Sequence, residues 1–271
     1  HDCGEKGVKA CIIISGGFKE VGEIGKAREA ELLEIANRYG MRIIGPNCVG
    51  TINVYAGLNA TFIKGMPVKG GIGFISQSGA ICGGVVDHVV NEQIGFSHLI
   101  SLGNEMDVTE TDILEYLAGD AHTKVMAVYV ESIRDGTRFL KAAQAISSQK
   151  PIILLKAGKS EAGARAVSSH TGSLAGSQIA YSTALKQAGV IEVHSLRSLL
   201  QTAMAFDFQP LPNNGEAVIF TNAGGPAALL SDTLEENGLK LAHLEEPLQE
   251  KLKEKLNSAA QTMNPIDMLG G

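Results

Sequence analysis

Tryptophan is absent from the 271 residues and aromatic side chains make up only 5%. The chain therefore has few flat rings for the stacking platforms that grip single-stranded nucleic acid. No cluster of Lys and Arg interleaved with aromatics occurs, and 23 Lys+Arg against 29 Asp+Glu leave a formal charge of −6. A polyanion would meet a negative surface, so no nucleic-acid partner is expected. Cysteine is limited to Cys3, Cys11, Cys48 and Cys82, with no CxxC pair, which argues against a zinc site and against a disulfide framework. No two histidines stand at the i, i+4 spacing of a helical metal site, and no metal is expected. No apolar run approaches the ~18 residues needed to span a bilayer. The start, His1-Asp2-Cys3, has neither a signal-peptide pattern nor an initiating methionine. The expectation is a trimmed cytoplasmic chain with no membrane partner.

Glycine is what the chain has in excess: 32 residues, about 12%, against a usual ~7%. With no collagen period, such glycine belongs in tight turns and ligand loops. The apolar share of 44% and charged share of 19% exclude disorder. The length is nearly twice the usual ~150 residues per domain, which suggests two packed units and a partial third.

Three segments repeat one rhythm of β-branched run, glycine-containing turn, amphipathic stretch and second β-branched run. This is the signature of βαβ units and predicts an α/β fold of consecutive doubly wound parallel sheets, the first and last incomplete. In the first, residues 1–66, Lys9–Ser15 and Arg42–Ile44 read as strands. The helix between them carries Leu32, Leu33, Ile35, Ala36 and Tyr39 and ends at Gly40. A single βαβ unit cannot bury both sheet faces, so this segment is expected to be the remnant of a larger domain. The second segment, residues 67–207, has five expected strands: Ile72–Ser76, Phe96–Ser101, Val125–Glu131, Pro151–Lys156 and Val190–Val193. These complete a doubly wound domain that binds ligands at the carboxyl ends of its strands. The third, residues 208–271, opens on a linker rich in Pro and Gly. It continues through a strand at Glu216–Thr221, a helix at Pro226–Glu236 and a strand at Leu239–His243.

Two strand-to-helix turns are built from small residues. Ser76-Gln77-Ser78-Gly79-Ala80 and Thr221-Asn222-Ala223-Gly224-Gly225-Pro226 would each let an anion approach unpaired N–H groups at the positive end of a helix dipole. Each also fits an ordinary βα turn. Residues 157–174 form an expected long connection of small residues around His170, and long loops are often functional. Glu131 ends an otherwise apolar strand where ligands collect. A carboxylate there could hold the Nδ1 proton of a histidine and leave Nε2 as nucleophile. For His88, His98, His122, His194 and His243 structural roles are expected. A rival reading makes Ser78 the nucleophile of an α/β-hydrolase, with His194 or His243 as base and Asp135 as acid, although the elbow's own glycines are missing.

Taken together, Gly71-Ile72-Gly73-Phe74-Ile75-Ser76-Gln77-Ser78-Gly79, Gly45-Pro46-Asn47-Cys48, Val130-Glu131-Ser132 and Ser168-Ser169-His170-Thr171-Gly172 resemble the NDP-forming acyl-CoA synthetases. That superfamily includes succinyl-CoA synthetase, and the likeness is strongest to the α chain or region of ADP-forming acetyl-CoA synthetase. It covers nearly the whole chain. The resemblance implies conversion of acyl-CoA, phosphate and ADP to acid, CoA and ATP through an acyl phosphate and a phosphohistidine. It implies that His170 is that histidine and Glu131 the carboxylate orienting it. Ser78, Gly79, Asn222, Ala223, Gly224 and Gly225 would bind the phosphate, with Gly45, Pro46 and Asn47 close to CoA or substrate. It further implies that residues 1–66 end a CoA-binding Rossmann-like domain, that residues 67–207 and 208–271 are flavodoxin-like, and that ADP/ATP and Mg are held by an ATP-grasp subunit or fused domain in a hetero-oligomer or dimer. Some relatives are instead acyl-CoA-sensing modules of protein acetyltransferases that lack the histidine; His170 argues for the enzyme.

Overall fold

Short runs of Val, Ile and Leu bounded by Gly, Pro and polar residues become the strands of a computed structural model. It describes the backbone of residues 1–92, 94–171, 178–210 and 214–269, and the side chains of these except 89–92, 168–171 and 178. The chain separates into two units, His1–Pro210 and Leu211–Gly271.

The first unit opens with α1 (Asp2–Glu5), β1 (Ala10–Ile12), a 3-10 turn at Lys19–Val21, α2 (Glu23–Tyr39) and β2 (Arg42–Ile44). β1 and β2 pair in parallel. The apolar stripe of α2 packs with Ile43, Met41 and Met106. Gly40 ends α2 in the left-handed region at φ 62°, where its N–H and that of Met41 satisfy the last carbonyls.

The chain continues through the hairpin β3 (Gly50–Asn53) and β4 (Leu58–Thr61), then β5 (Val68–Ser76), α3 (Gly79–Glu92), β6 (Gly95–Ser101), α4 (Glu110–Gly119), β7 (Val125–Val130) and α5 (Gly136–Ser147). It closes with β8 (Ile152–Lys156), α6 (Glu161–Thr171), α7 (Gln178–Gln187), β9 (Ile191–Val193) and α8 (Leu196–Phe208). The sheet order is β4-β3-β6-β5-β7-β8-β9. Its five parallel strands therefore run second, first, third, fourth, fifth, with the topological switch point between β5 and β7. Successive strand residues face opposite layers, so Phe74 packs with Val85, Leu199 and Ala203 while Ile75 packs with Leu114, Phe139 and Leu185. Burial on both faces is why these strands read as continuous apolar runs.

Two features of the first unit differ from the sequence expectation. Residues 50–61 fall in the first segment by sequence, yet β3 pairs antiparallel with β6 and makes the sheet mixed. Ile52 and Val54 draw the hairpin in by burying themselves against the Phe74 layer. The long connection expected at 157–174 instead carries the helix α6. Glu161-Ala162-Gly163-Ala164-Arg165-Ala166 is rich in helix formers, and Ser160 Oγ accepts the Gly163 N–H at 3.0 Å in the manner of an N-cap.

The second unit contains β10 (Glu216–Ala217), β11 (Phe220–Thr221), α9 (Gly224–Glu236), β12 (Lys240–Leu241), α10 (Glu246–Lys255) and β13 (Ile266–Asp267). The strand expected at Glu216–Thr221 is split: β10 pairs with β12 and β11 with β13, both in parallel. Asn264 is the wedge, its Oδ1 accepting the Ile219 N–H at 2.9 Å while its Nδ2 donates to the Ala217 and Ala242 carbonyls. Among the described residues no helix is long and apolar enough to cross a membrane.

Candidate active site

The carboxyl ends of β5 and β7 open into a cavity of about 770 Å³ whose wall includes Asn47, Ser78, Gly79 and Glu131. On the β5 side, Ser76 Oγ accepts the Ser78 N–H at 3.1 Å and donates to the Ser78 carbonyl at 2.8 Å, which turns the chain tightly into α3. The first N–H groups of any helix lack intrahelical partners. Here Gly79, Ala80, Gly83 and Gly84 bring that start to the cavity without bulky side chains.

On the β7 side, half-buried Glu131 follows the last strand residue, Val130. Its N–H donates to Gln77 Oε1 at 2.6 Å, and its carbonyl accepts Lys156 Nζ at 2.8 Å. The Tyr129 hydroxyl, on the same strand face, is pushed up to about 12 by burial and by the Glu131 carboxylate, to which it is hydrogen-bonded.

A third wall comes from the Gly45-Pro46-Asn47 loop and residues 103–106, stitched together by backbone bonds from Asn104 N to Pro46 O and from Met106 N to Gly45 O. Gly103 is needed there: at φ 58°, any Cβ would run into the Pro46 and Asn47 carbonyls. Asn47 lines the cavity, whereas Gly45 and Pro46 brace the loop behind it.

Sequence reasoning overlooked several polar residues that the fold brings here. Glu105 is 3% exposed. Its Oε2 accepts Gln77 Nε2 at 2.7 Å, its Oε1 accepts the Glu110 N–H at 3.1 Å, and its backbone carbonyl accepts Arg134 Nη1. Burial, followed by the neighbouring Glu110 carboxylate, holds the Glu105 carboxyl well above the usual range. Asn104 Nδ2 donates to Glu20 at 2.7 Å and to Glu29 at 2.6 Å, and its carbonyl accepts Lys19 Nζ. Burial lowers the Lys19 ammonium. The available signal was position: residues 103–105 follow β6, at the strand end where such folds bind ligands.

His170 falls in the last turn of α6, and its side chain lies outside the described residues, so its approach to Glu131 does too. The described part of α6 passes the Lys19–Val21 turn, whose Lys19 lines the cavity. Asn222–Gly225 belong to the second unit, at the start of α9, where Thr221 Oγ1 accepts the Ala223 N–H at 3.2 Å.

Three residues of the hydrolase reading, Ser78, Asp135 and His194, have other partners. Ser78 Oγ accepts the Ile81 N–H at 3.3 Å, Asp135 caps α5 through the Arg138 N–H at 2.9 Å, and His194 Nδ1 is 2.9 Å from Lys159 Nζ. Elsewhere, His122 stacks on Tyr55, and His98 is buried in β6 with Asp120 at 3.7 Å.

A family profile described as the succinyl-CoA ligase like flavodoxin domain matches residues 69–206. The chain is 52% identical over 268 residues to the α subunit of ADP-forming acetate–CoA ligase II of Pyrococcus furiosus, covering 99% of this chain and 58% of that protein. It is 45% identical to the ADP-forming acetate–CoA ligase of Methanocaldococcus jannaschii, covering all of this chain and 38% of that one. The structure of the dinucleotide-forming acetyl-coenzyme A synthetase 1 of Candidatus Korarchaeum cryptofilum, solved with phosphate and ADP, superposes with a TM-score of 0.92 at 39% identity, covering 99% of this chain and 58% of that one. The chain thus spans between about two fifths and three fifths of the length of these relatives.

Proposed function

Because the chain belongs to the family of succinyl-CoA ligase like flavodoxin domains, we propose that it is the acyl- and phosphate-handling part of an ADP-forming acyl-CoA synthetase. In this reading a phosphate oxygen attacks the thioester carbonyl, the C–S bond breaks, and CoA leaves as its thiolate. His170 then attacks the phosphorus of the acyl phosphate, the acid leaves as carboxylate, and ADP finally takes the phosphoryl group from His170.

The observation that carries the reading is the placing of Glu131 and the Ser78-Gly79 helix start around one cavity at the switch point. The helix start offers N–H donors and a positive dipole end to phosphate oxygens. Glu131 orients the imidazole by accepting one ring proton and balances the charge that forms when the other nitrogen is phosphorylated. Residues 1–66, apart from the 50–61 hairpin that extends the large sheet, serve as the end of the CoA-binding domain, residues 67–207 with that hairpin as the ligase domain and residues 208–271 as the start of the second, where Asn222–Gly225 supply a further phosphate-facing helix start. Nucleotide and Mg belong to an ATP-grasp subunit or fused domain in the cytoplasm. The α-subunit relative, of which the chain covers 58%, supports that division.

The test uses the full-length protein with its nucleotide-binding partner, incubated with acetyl phosphate or with ATP and Mg. Acid-labile, base-stable phosphate should appear on the chain and vanish in His170→Ala. Undiminished labelling of His170→Ala would remove the assignment.

A further inference from the structure

The carboxyl end of β7 is held by a side chain that the reaction scheme leaves unused. Paired register between β7 and β5 ends at Tyr129 opposite Ser76, and between β7 and β8 at Val130 opposite Lys156. Glu131 and Ser132 therefore lie beyond the ladder, where backbone N–H and C=O groups need other partners. Gln77 supplies most of them. Its Oε1 accepts the Glu131 N–H at 2.6 Å and the Ser132 N–H at 3.0 Å, and its Nε2 donates to the Ser132 carbonyl at 2.7 Å. The second Nε2 proton goes to Glu105 Oε2 at 2.7 Å, and Lys156 Nζ takes the one remaining backbone group, the Glu131 carbonyl.

The amide has one workable orientation. Reversed, its NH₂ would face two N–H donors and its oxygen would face a carbonyl. All four of its hydrogen-bonding positions are used within the chain, and the residue is only 9% exposed, so it has none left for substrate. It ties β5, the end of β7 and the 103–105 segment into one support, across the switch point where the cavity opens.

We infer that Gln77 is a positioning residue for the proposed reaction, aiming the Glu131 carboxylate into the cavity by locking the Glu131–Ser132 backbone. The inference rests on the reading of Glu131 as the group that orients His170. A misplacement of about 1 Å in such a site costs roughly 10²-fold in rate.

The experiment measures His170 phosphorylation from acetyl phosphate in the full-length enzyme with its partner, for wild type, Glu131→Gln, Gln77→Met and the double variant. Gln77→Met should slow phosphorylation by about 10²-fold through kcat, with KM for acetyl phosphate nearly unchanged. In the Glu131→Gln background the same substitution should add no further slowing, since two residues acting as one unit are not additive. Gln77→Glu keeps the shape and the oxygen that holds both N–H groups but turns the other arm into an acceptor facing Ser132 O. It supplies the same cycle should Gln77→Met not fold, and should also be slowed and non-additive. Effects that multiply in the double variant, or Gln77 variants running at the wild-type rate, overturn the positioning role while leaving the proposed function in place. Absence of His170 phosphorylation in the wild type overturns the proposed function, and this inference with it.

Discussion

Glu105 and Glu110 place two carboxyl groups where water hardly reaches, at 3% and 1% exposure. Burial is the main cause that raises both, and for Glu105 the nearby Glu110 carboxylate adds to it. A carboxyl raised in the folded state binds its proton more tightly there than in the unfolded chain. Its stabilising contribution is therefore present below the ordinary value of 4.5 and is lost as pH rises through the raised one. The thermal midpoint should therefore fall as pH rises above the ordinary carboxylate range, each unit of displacement being worth about 1.4 kcal/mol. Glu110→Gln puts an amide beside Glu105 in place of a second acid and should flatten this decline, raising the midpoint at pH above the ordinary carboxylate range by about 2–4 °C per kcal/mol recovered. Calorimetry across that range decides the matter; an unchanged slope would show that the pair does not control stability.

At the scale of elements, local chemistry sets where helices begin. Thr109 and Asp112 form a capping box at α4, Asp135 caps α5, and Ser195 accepts the Ser198 N–H at the start of α8. Asp135→Ala should cost about 1 kcal/mol of stability and leave His170 labelling intact, measured by denaturant unfolding beside the phosphorylation assay. Labelling lost in the variant would return Asp135 to the chemistry. α6 marks the limit of pattern reading. Its described residues are partly or wholly exposed and mostly small, so its apolar positions are alanines and one valine and not the large residues that mark a core-facing stripe. Its helical state rests on alanine propensity and the Ser160 cap, which are weaker signals than periodicity.

At the scale of the molecule, both core layers of the large sheet are drawn from residues between Ile52 and Ala203. The first unit therefore owns its core. Residues 1–210, expressed alone, should unfold in one cooperative thermal transition by circular dichroism; a gradual loss of signal would mean that its core depends on the remainder of the chain. What the sequence alone determined is the set of five parallel strands and four small or polar residues that the fold brings to one cavity wall: Asn47, Ser78, Gly79 and Glu131. These follow from β-branched runs, small residues at turns and a charge at the end of an apolar strand, all local properties. The tertiary structure alone decided that the 50–61 hairpin extends the sheet and that Gln77 meets Glu105 and Ser132. Those partners stand 28 and 55 residues from Gln77 in sequence. Only the strand order, with β5 seated between β6 and β7, brings them within hydrogen-bond distance, and no local pattern of polar residues encodes that order.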